Sequence, residues 1–316
     1  MKRSALSILI PAYNGDCSLM VEELCRQAEV ISGLDYEVIV ADDGSTDRSK
    51  VELCRKVEQW AHCRFIDRRE NVGRAAIRNF LAQEAQKEWL LFIDCDMTII
   101  SANYLNTYVE AEGDVVYGGY KVGYSTRANL RYHYEKACEP SHTAEERQRR
   151  PYQHFHTANF LVRREVMLSY PFDERFRHYG YEDVFFGRQL KAAGIAITHI
   201  DNPTGFHTFE TNARFISKTE EGLRTLHAFS NDLRGYSQLL TFVEGIHLKP
   251  VRWLLKLWHK VAAPLERWNL RSKHPSLRVF RLYKLGYYLC LKDTVPDGSP
   301  VGLSSGKHNA SIQQPF

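Results

Sequence analysis

Two hydrophobic patterns alternate over the first hundred residues. Leu6 to Ile10 is a short apolar run ended by Pro11, as expected of a strand buried on both faces. Leu19, Leu24, Ala28 and Ile31 then recur at helical spacing, and Gly33 closes that segment. Glu37 to Ala41 reads as a second buried strand, stopped by Asp42-Asp43-Gly44-Ser45. Val51, Cys54, Val57 and Ala61 mark a second helix, with Thr46 or Asp47 placed to cap it. Arg64 to Ile66 gives a third strand, Ala76, Ile77, Phe80 and Leu81 a third helix, and Trp89 to Ile93 a fourth strand. This alternation predicts an α/β fold: a mostly parallel, Rossmann-like sheet flanked by helices and joined by right-handed crossovers.

From Val115 the pattern breaks up. Val115 to Gly119 and Lys121 to Gly123 read as short strands, and the Arg-rich, Pro-containing stretch 139–153 as a mobile loop. Phe160 to Val162 is a further strand. A helix over Asp183 to Ala193 is stopped by Gly194, and Ile195 to Ile200 is again strand-like. The predicted organisation is an α/β unit over 1–225, a helical and basic amphipathic region over 226–292, and a disordered tail over 293–316.

In parallel sheets a ligand sits outside the carboxyl ends of the strands. The first strand ends at Pro11 to Asn14, the second at Asp42-Asp43 and the fourth at Asp94-Cys95-Asp96, with Arg68 and Arg69 after the third. Polar and acidic groups therefore converge on one edge. Carboxylates at Asp94 and Asp96 suit hard cations such as Mg²⁺ or Mn²⁺, which bind through one or two carboxylates plus substrate phosphates. Asp43 could accept a hydrogen bond from a nucleobase or ribose. Glu182 and Asp183 open a helix, where negative charge is favourable by ~0.3–1 kcal/mol, so capping alone could explain them. A carboxylate in that position could also take a proton from a hydroxyl.

Composition mainly excludes. The chain has 316 residues, 44% hydrophobic and 25% charged, with a net charge of +4. That suits one large globular unit with an appendage. The seven scattered cysteines form no C-x-x-C pair, which argues against a disulfide framework or a zinc site and for a reducing, cytoplasmic compartment. Neither a signal peptide nor a membrane-spanning run of ~18 apolar residues is expected. A dinucleotide oxidoreductase would need G-x-G-x-x-G after a strand, which is lacking. A sugar nucleotidyltransferase would need a basic loop where PAYNGDCS stands. No nucleic-acid-binding module is recognised, and no nucleic-acid partner is expected.

Six motifs occur in order: SILIPAYN (7–14), EVIVADDGSTD (37–47), NVGRAAIRN (71–79), FIDCDM (92–97), FHTANFLVRREV (155–166) and YGYEDVFFGRQL (179–190). Over residues 5 to 210 the chain resembles the family 2 glycosyltransferases, whose nucleotide-sugar-binding fold is of the GT-A type. The resemblance implies an inverting, metal-dependent transfer of a sugar from a nucleotide-sugar, with UDP as the default nucleotide, to an acceptor hydroxyl. It assigns donor binding to Pro11, Tyr13, Asn14, Asp43, Arg74 or Arg78, Asp94 and Cys95. Asp96 would ligate Mn²⁺ or Mg²⁺ with His207, for which His199 is the rival. Asp183 would be the general base and Glu182 would orient the acceptor, a glycan or lipid-linked glycan. A non-catalytic nucleotide-sugar-binding protein is the alternative outside enzymes.

Between Lys249 and Lys292 the only acid is Glu266. Trp253, Leu254, Leu257, Trp258 and Val261 fall on one helical face, and Lys249, Arg252, Lys256 and Lys260 on another. Arg278, Arg281 and Lys284 repeat the pattern with Phe280, Tyr283 and Tyr287. Basic helices with Trp on the apolar side suit the surface of an anionic membrane; packing on the α/β unit is the alternative.

Overall fold

A computed structural model of the protein describes residues 3–294. The first half runs β1 (Ala5–Ala12), α1 (Ser18–Glu29), β2 (Asp35–Asp43), α2 (Arg48–Arg55), β3 (Cys63–Arg68), α3 (Arg74–Glu84), β4 (Trp89–Ile93), β5 (Met97–Ile99) and α4 (Tyr104–Glu110). Then come β6 (Val115–Tyr117), β7 (Tyr120–Val122), α5 (Leu130–Cys138), α6 (Ala144–Arg149), β8 (Asn159–Arg163), α7 (Arg164–Ser169), α8 (Glu182–Ala192), β9 (Ile197–His199) and β10 (Thr204–Phe206). Four helices follow: α9 (Asn212–Ala228), α10 (Gln238–Gly245), α11 (Lys249–Arg271) and α12 (Leu277–Thr294). The tail expected to be disordered lies, from residue 295, outside the described residues. The expected boundary after residue 225 falls inside α9.

The main sheet has the order β3-β2-β1-β4-β8-β6-β9. β1, β2, β3 and β4 pair in parallel, as does β6 with β9, whereas β8 runs antiparallel to β4 and β6. Both faces are covered, so central strands are continuous apolar runs. Ile8, Ile10, Leu91 and Ile93 pack into one core; Leu9, Leu90 and Phe92 pack into the other. A second, small sheet of order β5-β10-β7 flanks the first.

Asn159, fully buried, organises the ground between the sheets. Its side-chain oxygen accepts from the hydroxyls of Tyr104 and Tyr108, and its amide donates to Gly119 O at 2.7 Å and Asn202 O at 2.9 Å. A buried amide pays its desolvation only when satisfied in this way.

Several expectations are corrected. Leu19 is 79% exposed, because a spacing of five positions from Leu24 turns it off the face of Met20, Val21, Leu24, Cys25 and Ala28. Ala61 is also outside its predicted helix, which tightens after Arg55 and ends at Gln59. The stretch 139–153 contains α6 and is pinned from within. Arg147, 4% exposed, donates to His142 O, to Gly118 O at 3.2 Å, to Ile200 O at 2.7 Å and to His199 Nδ1 at 3.2 Å. An Arg-rich stretch therefore hides one arginine that acts as a buried tether.

The C-terminal region divides. In α12, Phe280 and Tyr283 are buried against Phe215, Ile216 and Leu270, so these aromatics join a core and do not form a free face. In α11, His259, Ala262, Glu266 and Leu270 face inward; Glu266 accepts from Trp258 Nε1 at 2.9 Å and meets His259 Nδ1 at 3.1 Å. Leu254, Val261, Leu265 and Trp268 remain exposed, together with Trp253 and most of Trp258.

Arg147→Met should cost about 2–4 kcal/mol of stability in urea unfolding, because three buried carbonyls lose a charged donor. Limited proteolysis should then cut within 139–153, a segment resistant in the unchanged protein.

Candidate active site

A cavity of about 390 Å³ opens where β4 ends, between the start of α8 and the wall formed by α5, α9 and α12. Arg74, Asp94, Asp96, His156, Glu182 and Asp183 are among its lining residues.

Its floor is set by Arg78. This α3 side chain is 2% exposed and donates to Asp94 Oδ1 and to Arg74 O at 3.0 Å. Arg78 therefore lies beneath the cavity and orients Asp94. Arg74, one turn earlier, lines the cavity itself; its guanidinium is 3.8 Å from Glu182 Oε1 and 5.2 Å from the centre of the Tyr179 ring. Of the two arginines left open by the sequence, Arg74 is the one that can touch a ligand there.

Asp96, two residues beyond Asp94, is exposed, and no hydrogen bond or ion pair from the described residues engages its carboxylate. Among the described residues no group of three or more His, Cys, Asp and Glu is gathered as a metal cage. A cation here would thus be held by Asp96 and by the ligand's own oxygens, the usual arrangement for Mg²⁺ and its kin. His207 does not line the cavity. The antiparallel register pairs Phe206, the residue before His207, with Met97, the residue after Asp96. The ring is folded over Gly123 and Gly205, where a Cβ would come within 2.1 and 2.5 Å of it. His199 is committed elsewhere, to Arg147 and to Pro151 O at 2.9 Å; burial draws its pKa down to about 4.

The acidic pair follows a turn with two successive left-handed residues, Gly180 (φ 98°) and Tyr181 (φ 71°), which swings Glu182 and Asp183 to the cavity. The Asp183 side chain accepts from His156 Nδ1 at 2.9 Å and from Val184 N at 2.8 Å. The second bond satisfies one N–H of the first turn of α8, whose N-cap residue, Tyr181, makes no side-chain cap. Burial pushes the Asp183 carboxyl up, but the His156 bond and charge more than offset it and hold the group below its usual range. The converse applies to His156: burial opposes its charge, and Asp183 raises its pKa nonetheless. Glu182 differs. It is 5% exposed, one of its oxygens has no hydrogen-bond partner, and burial, followed by the charge of Asp183, raises its pKa. Neighbouring carboxylates driven apart in pKa are characteristic of acid–base sites.

The remaining predicted residues lie outside the cavity lining. Asp43 accepts from Val72 N at 3.0 Å and Gly73 N at 3.1 Å, holding the start of α3, and burial raises its pKa. Asn14 (φ 51°) receives Asp47 N at 2.8 Å and donates its own N–H to Ser45 Oγ at 2.8 Å, stitching the loops after β1 and β2 together. Pro11 is partly buried and Tyr13 is 43% exposed on this shelf. Cys95 packs its sulfur on Gly15, and burial lifts its thiol to about 12, so it is a neutral packing group.

Sequence reasoning passed over His156, Arg131 and Lys218, which line the cavity. His156 lay in the quoted FHTANF motif; its pairing with Asp183 across 27 residues left no local signal. Lys284 had been placed on a membrane-facing helix and instead enters this cavity.

The glycosyl transferase family 2 model matches residues 7–170. The chain is 27% identical over 243 residues to a chondroitin synthase of Pasteurella multocida, covering 65% of this chain and 25% of that protein. It is 34% identical over 122 residues to a poly(ribitol-phosphate) beta-glucosyltransferase of Bacillus spizizenii, covering 37% of this chain and 19% of that one. This chain thus matches only a quarter or less of the length of either relative. Among solved structures it resembles a mannosyltransferase from Pyrobaculum calidifontis in complex with GDP-Man and Mn²⁺: TM-score 0.55, 15% identity, 92% of this chain and 87% of that chain covered. At that identity the likeness establishes the GT-A fold.

In a histidine-resolved NMR titration, His156 should titrate above 6.5, and in Asp183→Asn below it, since burial and the charge of Arg147 are then opposed by Glu135 alone. By linkage the His156 charge stabilises the fold below pH 6.5, and that contribution is lost as pH rises through the raised pKa.

Proposed function

Since the chain belongs to glycosyl transferase family 2, we propose that it transfers a sugar from a nucleotide-sugar to an acceptor hydroxyl, with inversion, in the assembly of a cell-surface polysaccharide. The observation that carries this reading is one cavity with two separate acidic stations: Asp94 and Asp96 at the end of β4, and Asp183 with its His156 partner at the start of α8.

Asp183 takes the acceptor proton. Because its carboxylate is held ionised by His156, it is ready as a base. The acceptor oxygen forms a bond to the anomeric carbon as the bond from that carbon to the diphosphate breaks, and the electron pair leaves with the diphosphate. One displacement inverts the centre and needs no covalent intermediate. Asp96 would hold Mn²⁺ or Mg²⁺, with His207 joining as a second protein ligand if its ring turns away from Gly123 and Gly205, and the ion would supply charge neutralisation for the leaving group. Arg74 contributes fixed positive charge nearby, and Glu182, with a free oxygen, orients the acceptor. The shelf formed by Pro11, Tyr13, Asn14 and Asp43 receives the base and ribose. UDP is the proposed nucleotide; the names of the two relatives support a polysaccharide or polyol-phosphate acceptor context.

The enzyme works at an anionic membrane surface. No helix of the described residues is long and apolar enough to cross a membrane. On α11, the exposed residues from Trp253 to Trp258 by way of Val261 and Leu265 cover an arc of roughly 140° at about 100° per residue. Lys249, Lys256 and Lys260 border that arc. An interfacial helix has this build, with each basic residue worth about 1 kcal/mol near anionic lipid.

UDP, GDP, CDP, CMP and dTDP, each with Mn²⁺ or with EDTA, provide the first test. One nucleotide should raise the melting temperature in a metal-dependent manner, and Asp96→Ala should abolish the shift. A folded protein that responds to none of them would refute the donor site.

Asp183→Asn should lower kcat about 10²–10⁴-fold while nucleotide affinity stays unchanged. An equal loss of nucleotide affinity would place Asp183 in donor binding.

Vesicles containing phosphatidylglycerol should sediment the protein at low salt, and Trp253→Ser with Trp268→Ser should release it. Retention of that variant would remove the membrane role of α11.

A further inference from the structure

The cavity wall formed by α5, α9 and α12 is mostly basic, with Glu135 as its one lining acid. Its basic members are Arg131 of α5, Lys218 of α9 and Lys284 of α12. The first two have carboxylate partners: Arg131 donates to Glu210 at 2.5 Å and lies 3.6 Å from Glu135, and Lys218 lies 3.1 Å from the other oxygen of Glu210. Lys284 differs. Its ammonium sits 4.8 Å from the ring centres of both Tyr134 and Phe280, and no carboxylate of the described residues forms an ion pair with it. Aromatic faces recover part of an ammonium's lost hydration but accept none of its three hydrogen bonds. Burial accordingly pulls its pKa down.

The location along the cavity bears on what it would bind. The positive charges of Arg131 and Lys218 reach Asp96, whereas Lys284 acts against Glu135 and Cys138. Tyr134, on which the ammonium rests, lines the cavity together with Tyr181, the residue before Glu182-Asp183, so Lys284 opens on the same cavity as Asp183.

We propose that Lys284, seated between Tyr134 and Phe280, binds an oxyanion carried by the acceptor, a phosphate or a carboxylate, and so selects anionic acceptors over neutral ones. This deepens the glycosyltransferase reading and rests on it. The two rings beside the ammonium provide apolar faces for the acceptor's carbon skeleton, and the anion would supply the hydrogen-bond acceptors that the ammonium lacks. An acceptor anchored there would present a hydroxyl toward Asp183.

Binding of glycerol 3-phosphate, glucuronate and methyl glucoside is measured by calorimetry on the full chain saturated with UDP and Mn²⁺, alongside a titration of UDP–Mn²⁺ alone. The unchanged protein should bind one or both anionic probes at least tenfold more tightly than methyl glucoside. Lys284→Met should lose that tenfold preference, Lys284→Arg should keep it, and UDP–Mn²⁺ affinity should be the same in all three. If Lys284→Met weakens UDP–Mn²⁺ binding instead, the cation serves the donor and the proposal fails. It also fails if the anionic probes bind the unchanged protein no better than methyl glucoside. Should Lys284→Met not fold, Lys284→Gln takes its place with the same expected result. Failure of UDP–Mn²⁺ to bind the unchanged protein would be failure of the glycosyltransferase reading itself, seen in a separate titration.

Discussion

A guanidinium sealed under the cavity floor is the constraint from which the site follows. Arg78 is almost without solvent, and Asp94 is the anion it has. Taking two charges out of water costs several kcal/mol per ion and is recovered only in good geometry; removing one partner leaves a penalty of about 3–5 kcal/mol. The end of β4 is therefore held to α3, and the residues after Asp94 leave the sheet in one direction only. The acids along this edge then fall into two groups. Asp42 accepts from Ser45, Asp43 from the turn before α3, and Asp94 from Arg78, all within the protein. Among the described residues, Asp96 and one oxygen of Glu182 are left without hydrogen-bond partners. Free carboxylate oxygen marks where an external group would fit.

Much of this could be read in the sequence. The four N-terminal strands and the helices between them were legible because a two-sided parallel sheet imposes long apolar runs and clean breaks. The convergence of Asp94, Asp96, Glu182 and Asp183 followed from the rule for strand ends and from motif order. What stayed hidden was long-range. The antiparallel entry of β8 has no signature, since a five-residue buried strand reads alike in both directions. The three-residue strands of the small sheet are too short to show a period. Arg147 was lost among surface arginines because its partners are backbone carbonyls, which every residue carries. Asp43 and Cys95 match the motif, yet their roles in the fold depend on neighbours 29 and 80 residues away.

The C-terminal region shows why amphipathic pattern alone divides poorly between packing and exposure. α11 and α12 both combine basic residues with aromatic ones. In α12 the aromatics Phe280 and Tyr283 meet α9 and are buried, and the basic Lys284 is carried inward with them. In α11 the inward face is made by His259, Ala262, Glu266 and Leu270, so the tryptophans are left outside. One helix thus completes the cavity while its neighbour keeps a free apolar face. An acceptor attached to a membrane would be met by both.

The most direct measurement is a crystal structure with UDP and Mn²⁺, with the metal located by anomalous scattering. The account predicts a peak at coordination distance from an Asp96 oxygen and from the diphosphate, within the cavity that also holds Asp183. A nucleotide bound elsewhere, or a metal that Asp96 does not touch, would contradict it.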